Sequence, residues 1–454
     1  MNKRADLVLS GRVRLDGEWR PGEVAISGGV IEHVVAGRTD TVAERRIDAG
    51  DALLLPGMID AHVHSRSHVS EGITAATRAA AAGGVTTIVE MPFDGDGPVD
   101  HLERFEAKRE LVARDAVVDV ALLGTVAPGG GWSHAADLAG AGACGFKISL
   151  FDTDRRRFPR ISDAELIDAL SAIADTGRTV CVHAENNEMV KALIARYRDE
   201  APRDPLAHCL SRPPASESMA VLTALEAATY AGARLHLCHL SLPRSVDLVR
   251  WYAGDGLDVT LETCPHYLLL TEGDMLELGS RAKINPPLRT KTAREGLWER
   301  LADGAIDVVS SDHAPWPWEC KSHESIFDNH SGVPGVETGL PLTLGAAWAD
   351  GPESVAQVID AMSRRPAERF GLGHRKGQLA AGFDADVVVF DPHRQWRVAA
   401  AELHSNAGWS PYEGRAVTGR VALTLLRGAV VYDGSDVVGE PGGGRFVAPA
   451  QGRP

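Results

Sequence analysis

The sequence predicts an α/β fold, a (β/α)8 TIM barrel accompanied by a small β-sandwich domain built from both chain ends. The first observation is that the middle of the chain alternates short apolar segments with longer Ala/Leu-rich amphipathic segments. Continuous apolar strands bounded by helices indicate a parallel sheet buried on both faces, and about eight such units make a TIM barrel. The second observation is that strand-like pieces separated by Gly-containing turns occupy both ends of the chain.

These two sequence patterns divide the chain into predicted domains. Residues 1–53 and 379–454 are expected to form the two parts of the β-sandwich, and residues 54–378 the barrel. The second part includes a Gly/Pro-rich C-terminal tail, which we expect to be mobile because such composition cannot build a packed core.

Individual barrel elements follow from the same alternation. The predicted strands are LLLPGMIDAHVH, VTTIVEMP, VDVALLGTV, ACGFKISL, TVCVHAEN, RLHLCHLS, DVTLETCPHY and AIDVVSSDHAP. The predicted helices include GITAATRAAAAGG, ISDAELIDALSAIADTG and SMAVLTALEAATYAG. Ser162 or Asp163 is expected to cap the second of these helices, and Gly177 to end it.

Composition limits the possible partners and compartment. The chain has 454 residues, 44% hydrophobic and 24% charged, as in ordinary globular proteins. Its net charge of −15 argues against nucleic acids and anionic membranes as partners. No apolar run reaches spanning length and the start lacks a signal-peptide core. Six scattered cysteines without a C-x-x-C pair are typical of reduced thiols, so a cytoplasmic protein is expected.

A histidine pair, His62 and His64, gives the first indication of function. Side chains two residues apart in a strand point to the same face, so both imidazoles could bind one metal ion. An isolated H-x-H would be weak support, but other strand ends also close with possible ligands. The complete candidate set is His62, His64, Lys147, His183, His239 and Asp312. Because barrel chemistry takes place at the C-terminal ends of strands, we predict a metal-dependent hydrolase.

Lys147 is the unusual member of this set, since an ammonium group would be repelled by metal cations. We expect desolvation and nearby positive charge to lower its pKa. The neutral amine could then add carbon dioxide and become a carbamate that bridges two metals. The alternative is a core lysine whose amine reaches solvent or pairs with an acid. The surrounding histidines favour the carbamate.

The chain resembles the cyclic-amidase branch of the amidohydrolase superfamily, which includes allantoinases, hydantoinases, dihydropyrimidinases and dihydroorotases. The resemblance spans almost the whole length and is closest to allantoinases. It is carried by DAHVH, AAAAGGVTTIVEMP, GFK, HAEN, HLS, ETCPHYLLLT, NPPLR, SDHAP, RRPAERFGL, KGQLAAGFDADVVVFDP and SPYEGRAVTGRV.

The resemblance implies a cofactor and a role for each ligand. One of two divalent metal ions, expected to be zinc, would be held by His62, His64 and Asp312. The other would be held by His183 and His239, with N6-carboxylated Lys147 and a hydroxide as bridges. Asp312 would accept the proton of the attacking hydroxide and deliver it to the leaving nitrogen.

The resemblance also implies how substrate is bound and what is formed. Asn285 and the backbone around Ser331 would hold the substrate amide. The product would be a ring-opened ureido or carbamoyl acid, which suggests a place in purine catabolism. The protein is expected to be a homo-oligomer, either a dimer or a tetramer.

Several departures bear on the choice of cyclic amide. Phe93 and Trp316 replace an Asn and a His that are usual in dihydroorotases, and many of those enzymes lack the bridging lysine. No Tyr follows Lys147 at the position typical of dihydropyrimidinases; Asp152 lies there instead. FDTDRRRFPRISDAEL and NAGWSPYEGRAVTGRV are most similar to allantoinases, although the SRSHVSEGI loop is shorter. A five-membered ureide, allantoin or a substituted hydantoin, is therefore the expected substrate.

Other residues leave alternatives open. Arg66 could clamp a substrate carboxylate, as in dihydroorotases, or form a loop salt bridge. The stretch from Trp316 to Pro341 is predicted to form a wall or lid of the pocket, and Trp316, Trp318 and Phe327 could make that pocket suit a bulkier hydantoin. His68 stays undecided, while His266 and His313 are expected to be structural.

Two other functions remain possible. The chain could be a hydantoinase/dihydropyrimidinase or a dihydroorotase. It could also be a non-catalytic scaffolding homologue, which the complete ligand set disfavours.

Overall fold

The computed structural model describes residues 4–450, with only the backbone of residue 352. Its larger sheet has eight parallel strands that follow one another around a barrel in chain order. An isolated parallel bridge between Val63 and His313 brings the first and last strands together. The barrel strands are Met58–Val63, Val85–Glu90, Asp119–Gly124, Gly145–Ser149, Thr179–His183, Leu235–Leu237, Val259–Thr263 and Val308–Val309.

Helices fill the connections between these strands. The α-helices are Gly72–Ala82, Leu102–Asp115, Ala135–Gly140, Asp163–Ala174, Asn187–Glu200, Leu206–Leu210, Pro214–Ala231, Pro243–Gly254, Pro265–Leu269, Met275–Leu278, Lys291–Ala302, Gly339–Asp350, Pro352–Ala361 and Arg364–Arg369. The 3-10 helices are Gly131–His134, Glu272–Asp274, Gly279–Ala282, Trp318–Lys321, Ile326–Asp328 and Ala400–Glu402.

Local signals in the sequence set the ends of the Asp163–Ala174 helix. Ser162 is its N-cap, and the carboxylate of Glu165 accepts bonds from the Ser162 N–H and hydroxyl. The helix ends at Ala174, earlier than predicted, and Gly177 takes a φ of 67° in the turn that follows. A positive φ costs glycine little. Gly177 therefore belongs to the turn after the helix and is not its last residue.

Strands from both chain ends join in one separate seven-stranded sheet. In spatial order its strands are Ala429–Tyr432, Ala416–Leu426, Val387–Arg397, Ala43–Pro56, Ala5–Leu15, Glu18–Ser27 and Val30–Ala36. Phe93–Asp94 and Gly97–Pro98 form a small hairpin beside the barrel. The predicted fold class, a TIM barrel with a β domain built from both termini, is confirmed.

The predicted first barrel strand, LLLPGMIDAHVH, is two strands in the structure. Ala43–Pro56 belongs to the seven-stranded sheet and continues past the predicted domain boundary at residue 53, while Met58–Val63 starts the barrel. Gly57 lies between them, where a Cβ atom would approach the Thr86 hydroxyl to 2.1 Å. Only glycine allows the chain to pass this close to the second barrel strand.

The C-terminal tail is not loosely attached, contrary to expectation, as far as the structure describes it. Backbone hydrogen bonds of 2.9 Å join Arg445 and Val447 to Val120 in the third barrel strand, and Ala450 donates to Gly371. Phe446 packs edge-on against Phe105 at 6.0 Å between ring centroids. The small residues before it allow close approach to the barrel, so Gly-rich composition here serves packing. Residues 451–454 of the predicted tail lie outside the described residues.

Two expectations from composition concern membranes and cysteines. Among residues 4–450, no helix is long and apolar enough to cross a lipid bilayer. All six cysteines are free thiols. The four predicted to fill the core are buried, with exposed fractions of 2% or less: Cys144, Cys181, Cys238 and Cys264.

Candidate metal centre

The six predicted ligands converge at the C-terminal end of the barrel. His62, Lys147 and His183 lie within the last residues of their strands. His239 and Asp312 follow their strands by two and three residues. Parallel strands in a closed barrel end at one rim, so residues up to 250 positions apart in the sequence line the same cavity.

His62, His64 and Asp312 form the first half of the site. The Nε2 atoms of both histidines lie 3.4 Å from the same carboxylate oxygen of Asp312. One ligand atom from each of these residues lies within 4.8 Å of the others, which is close enough to hold one ion. Imidazole nitrogen and carboxylate oxygen are ligands that zinc and similar divalent metals prefer.

His183 and His239 form the second half. Nδ1 of His183 lies 3.1 Å from Nε2 of His239, so the two ring nitrogens adjoin each other. Nε2 of His183 is bonded to the Glu185 carboxylate at 2.9 Å, so Nδ1, on the His239 side, is the ring atom that could bind a metal. The His239 ring is also 5.2 Å from the His62 ring between centroids, so the two halves adjoin.

Two of the candidate ligands have unusual backbone conformations. His239 has a φ of 40° and Asp312 a φ of 46°, both in the left-handed region that side chains other than glycine seldom adopt. Such conformations cost about 1–3 kcal/mol each and concentrate at functional sites. Here they turn both side chains toward the cavity immediately after a strand has ended.

Lys147 is buried among these residues, with an exposed fraction of 1%. Its Nζ makes no standard hydrogen bond among the described residues, which is uncommon for a buried amine. Burial lowers the pKa of Lys147, but Cys238 and Glu262 raise it by more, so the net shift is upward. The predicted lowering of the Lys147 pKa was wrong for the protein's own groups, because the sequence argument did not include Cys238 or the Glu262 carboxylate.

Glu262 is a member of the site that sequence reasoning missed. Its carboxylate accepts a 2.5 Å bond from Nδ1 of His62, a 3.3 Å bond from Nε2 of His236 and a 3.2 Å bond from the His239 N–H. It thereby directs Nε2 of His62 toward Asp312, as carboxylates behind metal-binding histidines commonly do. A buried Glu in the ETCPHY strand was the available signal.

Protonation of the site follows from these contacts. Burial lowers the pKa of His62, Lys147 lowers it further, and the net shift is downward. Burial raises the pKa of the Asp312 carboxyl, but His62 and His64 lower it by more, so it is ionised at neutral pH. A neutral imidazole and an ionised carboxylate are the forms that bind metal.

Two other groups of metal-type side chains have different explanations. Glu262, Cys238 and His62 lie together, but the His62 nitrogen that faces Glu262 is already bonded to it. Asp119, Asp384 and Asp386 cluster at the opposite end of the barrel, where the Lys376 ammonium binds all three. Neither group has the free ligand atoms of the strand-end site.

The six candidate ligands line a cavity of about 460 Å³, a size suited to a small molecule. Phe93 lines it and stacks on Phe158 at 3.6 Å between centroids. Trp316 and Phe327 also line it, so the stretch after the last strand forms part of its wall as predicted. Trp318 does not line it; its ring lies under the Arg281 guanidinium, 4.8 Å away.

Arg66 is absent from the lining of this cavity. Its Nε donates a 2.8 Å hydrogen bond to Asp94, so the geometry corresponds to the salt-bridge alternative and not to a carboxylate clamp. Arg157 and Lys283 line the cavity instead. Arg157 lies over the Trp316 ring at 5.4 Å, and nothing in its sequence spacing distinguished it from its arginine neighbours.

The two predicted substrate-binding positions both reach the cavity. Asn285 lies in NPPLR, and its Oδ1 is buried without a hydrogen-bond partner among the described residues. The Ser331 carbonyl accepts a 2.8 Å hydrogen bond from the Trp316 indole. A buried amide oxygen without a partner is costly, which is consistent with a group that bonds to a ligand.

The remaining histidines have separate surroundings. His313 bonds to Glu71 through Nε2 and accepts the Gly335 N–H at Nδ1, which fits its predicted structural role. His266 is buried and packs on Tyr267, and burial lowers its pKa to about 4. His68 bonds to Ser70 and does not line the cavity.

Comparison with known proteins identifies the same family that the sequence motifs resemble. The amidohydrolase family model matches residues 53–431. An allantoinase of Rubrobacter xylanophilus is 37% identical, over 98% of both chains. A dihydroorotase of Halobacterium salinarum is 40% identical, over 95% of this chain and 97% of that protein.

Solved structures agree with this result. An L-hydantoinase (dihydropyrimidinase) from Arthrobacter aurescens superimposes with a TM-score of 0.94 at 32% identity, over 98% of this chain and all of that one. A D-hydantoinase gives a TM-score of 0.90 at 30% identity, over 97% and 98%. With the ligand set at the strand ends and a family match over most of its length, the chain belongs to the amidohydrolase family.

Proposed function

We propose that this protein hydrolyses a C–N bond of a cyclic amide in a five-membered ureide ring, with two divalent metal ions as cofactors. The observation that carries the proposal is the convergence of four histidines, one aspartate and one buried lysine at one cavity. A scaffolding homologue would have no need to keep six such side chains together.

The donor groups suggest how the metals would be held. His62, His64 and Asp312 suit one ion, His183 and His239 the other, and carboxylated Lys147 would join them. The Lys147 amine without a hydrogen-bond partner supports this assignment, since a carbamate would give that position ligands. Zinc is the expected metal. When bound, two such ions activate water and polarise a carbonyl.

The protein's own residues then supply proton transfer and substrate orientation. Asp312 is ionised and faces the cavity, so it can accept the proton of the attacking water and deliver it to the leaving nitrogen. The unpartnered Oδ1 of Asn285 can accept an N–H of the ring. The ring opens to a ureido or carbamoyl acid.

Allantoin or a substituted hydantoin is the substrate class that we propose. Allantoinases at 34–37% identity and an L-hydantoinase at 33% cover nearly the whole chain. Phe93, Phe158 and Trp316 give the cavity flat apolar walls that suit a planar ring. With allantoin as substrate, the enzyme would act in purine catabolism.

Dihydroorotate is the second candidate, and Lys283 favours it. Burial lowers the pKa of Lys283 to about 7, and its amine donates to the carbonyls of Phe327 and Asn329. It lines the cavity, and its amine bonds only to carbonyls among the described residues, so it could bind a substrate carboxylate. The 40% identical dihydroorotase supports the same alternative.

We further propose a cytoplasmic homo-oligomer, a dimer or tetramer. Exposed apolar side chains on the helices Pro214–Ala231 and Pro243–Gly254 support association: Met219, Leu222, Tyr230 and Trp251. Light scattering of the purified protein measures the molar mass; that of a single chain would contradict this proposal.

Steady-state rates on four substrates test the activity: allantoin, an aryl hydantoin, dihydrouracil and dihydroorotate. We expect kcat/KM to be highest for one of the two five-membered rings, in protein that contains about two divalent ions per chain. A highest value for dihydroorotate, lost in Lys283→Met, would establish the second candidate. Full activity in metal-free protein would contradict the cofactor.

A further inference from the structure

Lys321 is a fully buried lysine beneath the cavity wall, with an exposed fraction of 0%. Its Nζ donates hydrogen bonds to three backbone carbonyls: those of His330 at 2.8 Å, Gly332 at 3.0 Å and Lys283 at 3.2 Å. It pairs with no carboxylate among the described residues. An amine placed so deeply without an acid is rare, and here its partners are all main-chain groups.

These bonds fix the residues on both sides of Ser331. The carbonyls of residues 330 and 332 bind Lys321, and that of Ser331 binds the Trp316 indole. We call residues 330–332 the wall segment. Its three carbonyls are all occupied by side chains, whereas the Ser331 N–H has no acceptor among the described residues. The wall segment therefore presents a free N–H donor at a position that lines the cavity.

The same amine joins the wall segment to residues 283–285, of which Lys283 and Asn285 also line the cavity. Lys283 lies two residues before Asn285, and its carbonyl accepts both the Lys321 amine and the Gly332 N–H. The Trp409 ring lies 5.3 Å from Nζ and donates its own N–H to the Trp316 carbonyl. Lys321 is thus the common hydrogen-bond partner of residues 283–285 and of the wall segment.

The Lys321 amine can make these hydrogen bonds whether or not it is protonated. Burial and the neighbouring Lys283 lower the pKa of Lys321. An ammonium has three N–H donors for the three carbonyls, and a neutral amine still has two. In either form the side chain links residues that are distant in the sequence.

We propose that Lys321 is a positioning residue, which holds the Ser331 N–H and the Asn285 side chain at the spacing that binds one amide unit of the ring. This inference rests on the proposed function. Lys321 bonds to none of the six candidate metal ligands and does not line the cavity. Its effect is therefore expected on substrate binding and not on the metal centre.

The test is Lys321→Met, which keeps the length of the side chain and removes every donor. In metal-loaded enzyme with the best substrate of the panel, KM should rise at least about tenfold, equivalent to about 1.4 kcal/mol of lost binding. Metal content should stay at the wild-type value and kcat should change less, since the ligands are untouched. Lys321→Gln, which restores N–H donors, should lie between the two.

Lys376→Met is the matched control. Lys376 is equally buried and has three polar partners, but it lies at the opposite end of the barrel. The Lys376→Met enzyme should lose stability without a rise in KM. A Lys321→Met enzyme that also loses only stability, with KM within twofold of wild type, would overturn the proposal. So would misfolding of both Lys321 variants, because that would assign the residue to structure alone.

Hydrogen exchange separates this inference from the proposed function. If the wild-type protein hydrolyses no cyclic amide, the proposed function fails, but exchange of the wall segment can still be measured. In Lys321→Met the amides of His330 and Gly332, which donate to the Cys320 and Lys283 carbonyls, should exchange faster, while those of the barrel strands stay as in wild type. Unchanged exchange in the wall segment would overturn the positioning role.

Discussion

At the scale of single residues, the site depends on carboxylates behind its histidines. Glu262 bonds to His62, and Glu185 bonds to His183. Glu185 is in turn held by the Arg212 guanidinium, and the balance of burial against Arg212 and His183 lowers its pKa to about 2. Both carboxylates stay ionised and select which ring nitrogen faces the cavity.

Lys147→Ala is expected to lower metal content and abolish turnover, because the proposed bridge between the two ions is lost. Elemental analysis together with activity measures both effects, and a short carboxylic acid should partly restore them by filling the gap. Lys147→Arg cannot form a carbamate. Wild-type activity in Lys147→Arg would mean that the lysine is structural.

Asp312→Asn is expected to reduce kcat by at least roughly 10²-fold, the lower range for general acid–base catalysis. The amide cannot shuttle a proton, although its oxygen can still reach a metal. Metal content should therefore fall less than in Lys147→Ala. An Asp312→Asn enzyme within a few-fold of the wild-type kcat would exclude Asp312 as the proton carrier.

Glu262→Gln is expected to weaken metal binding roughly 10- to 100-fold, the usual effect of losing an outer carboxylate. The amide no longer fixes the ring of His62 or offsets the local positive charge. Titration of metal-depleted protein with zinc measures the affinity. Glu165→Gln, in the capping box of the Asp163–Ala174 helix, is the control and should bind zinc normally.

At the scale of elements, the contacts of the C-terminal tail explain why its composition is not a sign of mobility. Gly444 lies against the Val118 carbonyl, where a Cβ atom would approach to 2.1 Å. The neighbouring N–H groups pair with the third barrel strand. The tail thus covers the N-terminal end of the barrel and satisfies backbone groups there.

Phe446→Ala is expected to reduce the free energy of unfolding by about 2 kcal/mol, less than for a fully buried aromatic because the ring is only half-buried. Urea unfolding measures the change, and metal content should not alter because the site is at the other end of the barrel. Arg445→Ala is the control, since Arg445 uses its backbone N–H to bind Asp119. Equal effects of both substitutions would contradict the role of the ring.

At the scale of the whole molecule, one buried ion cluster joins the barrel to the seven-stranded sheet. Asp119 from the barrel, Asp386 beside the sheet and the amine of Lys376 meet there, at 2.6 and 2.7 Å from Nζ. Arg427, from the end of the sheet, also binds Asp119. The cluster couples the sheet to the rigid barrel and leaves the opposite rim free for chemistry.

Lys376→Met is expected to destabilise the protein by about 3–5 kcal/mol, because removal of one partner leaves buried carboxylates uncompensated. The free energy of unfolding from urea measures this loss. Metal content of the folded fraction should match wild type. A change below about 1 kcal/mol would mean that Arg427, paired with Asp119, and Arg375, paired with Asp384, neutralise the cluster without Lys376.

The sequence by itself determined the barrel, the companion sheet and the identity of the six ligand candidates. Hydrophobic alternation is a local property, and the position of His183 or Asp312 at a strand end can be read from a few neighbours. The barrel fold then requires such ends to meet. This is why the metal-type residues could be named before any distance was known.

The tertiary structure alone decided which side chains face one another. Glu262 meets His62 across 200 positions of the chain, and Arg66 turns to Asp94 while Arg157 lines the cavity. The break at Gly57 and the docking of the tail likewise depend on distant strands. Such contacts are set by closure of the barrel and by packing of groups far apart in the sequence, and no local pattern of residues carries that information.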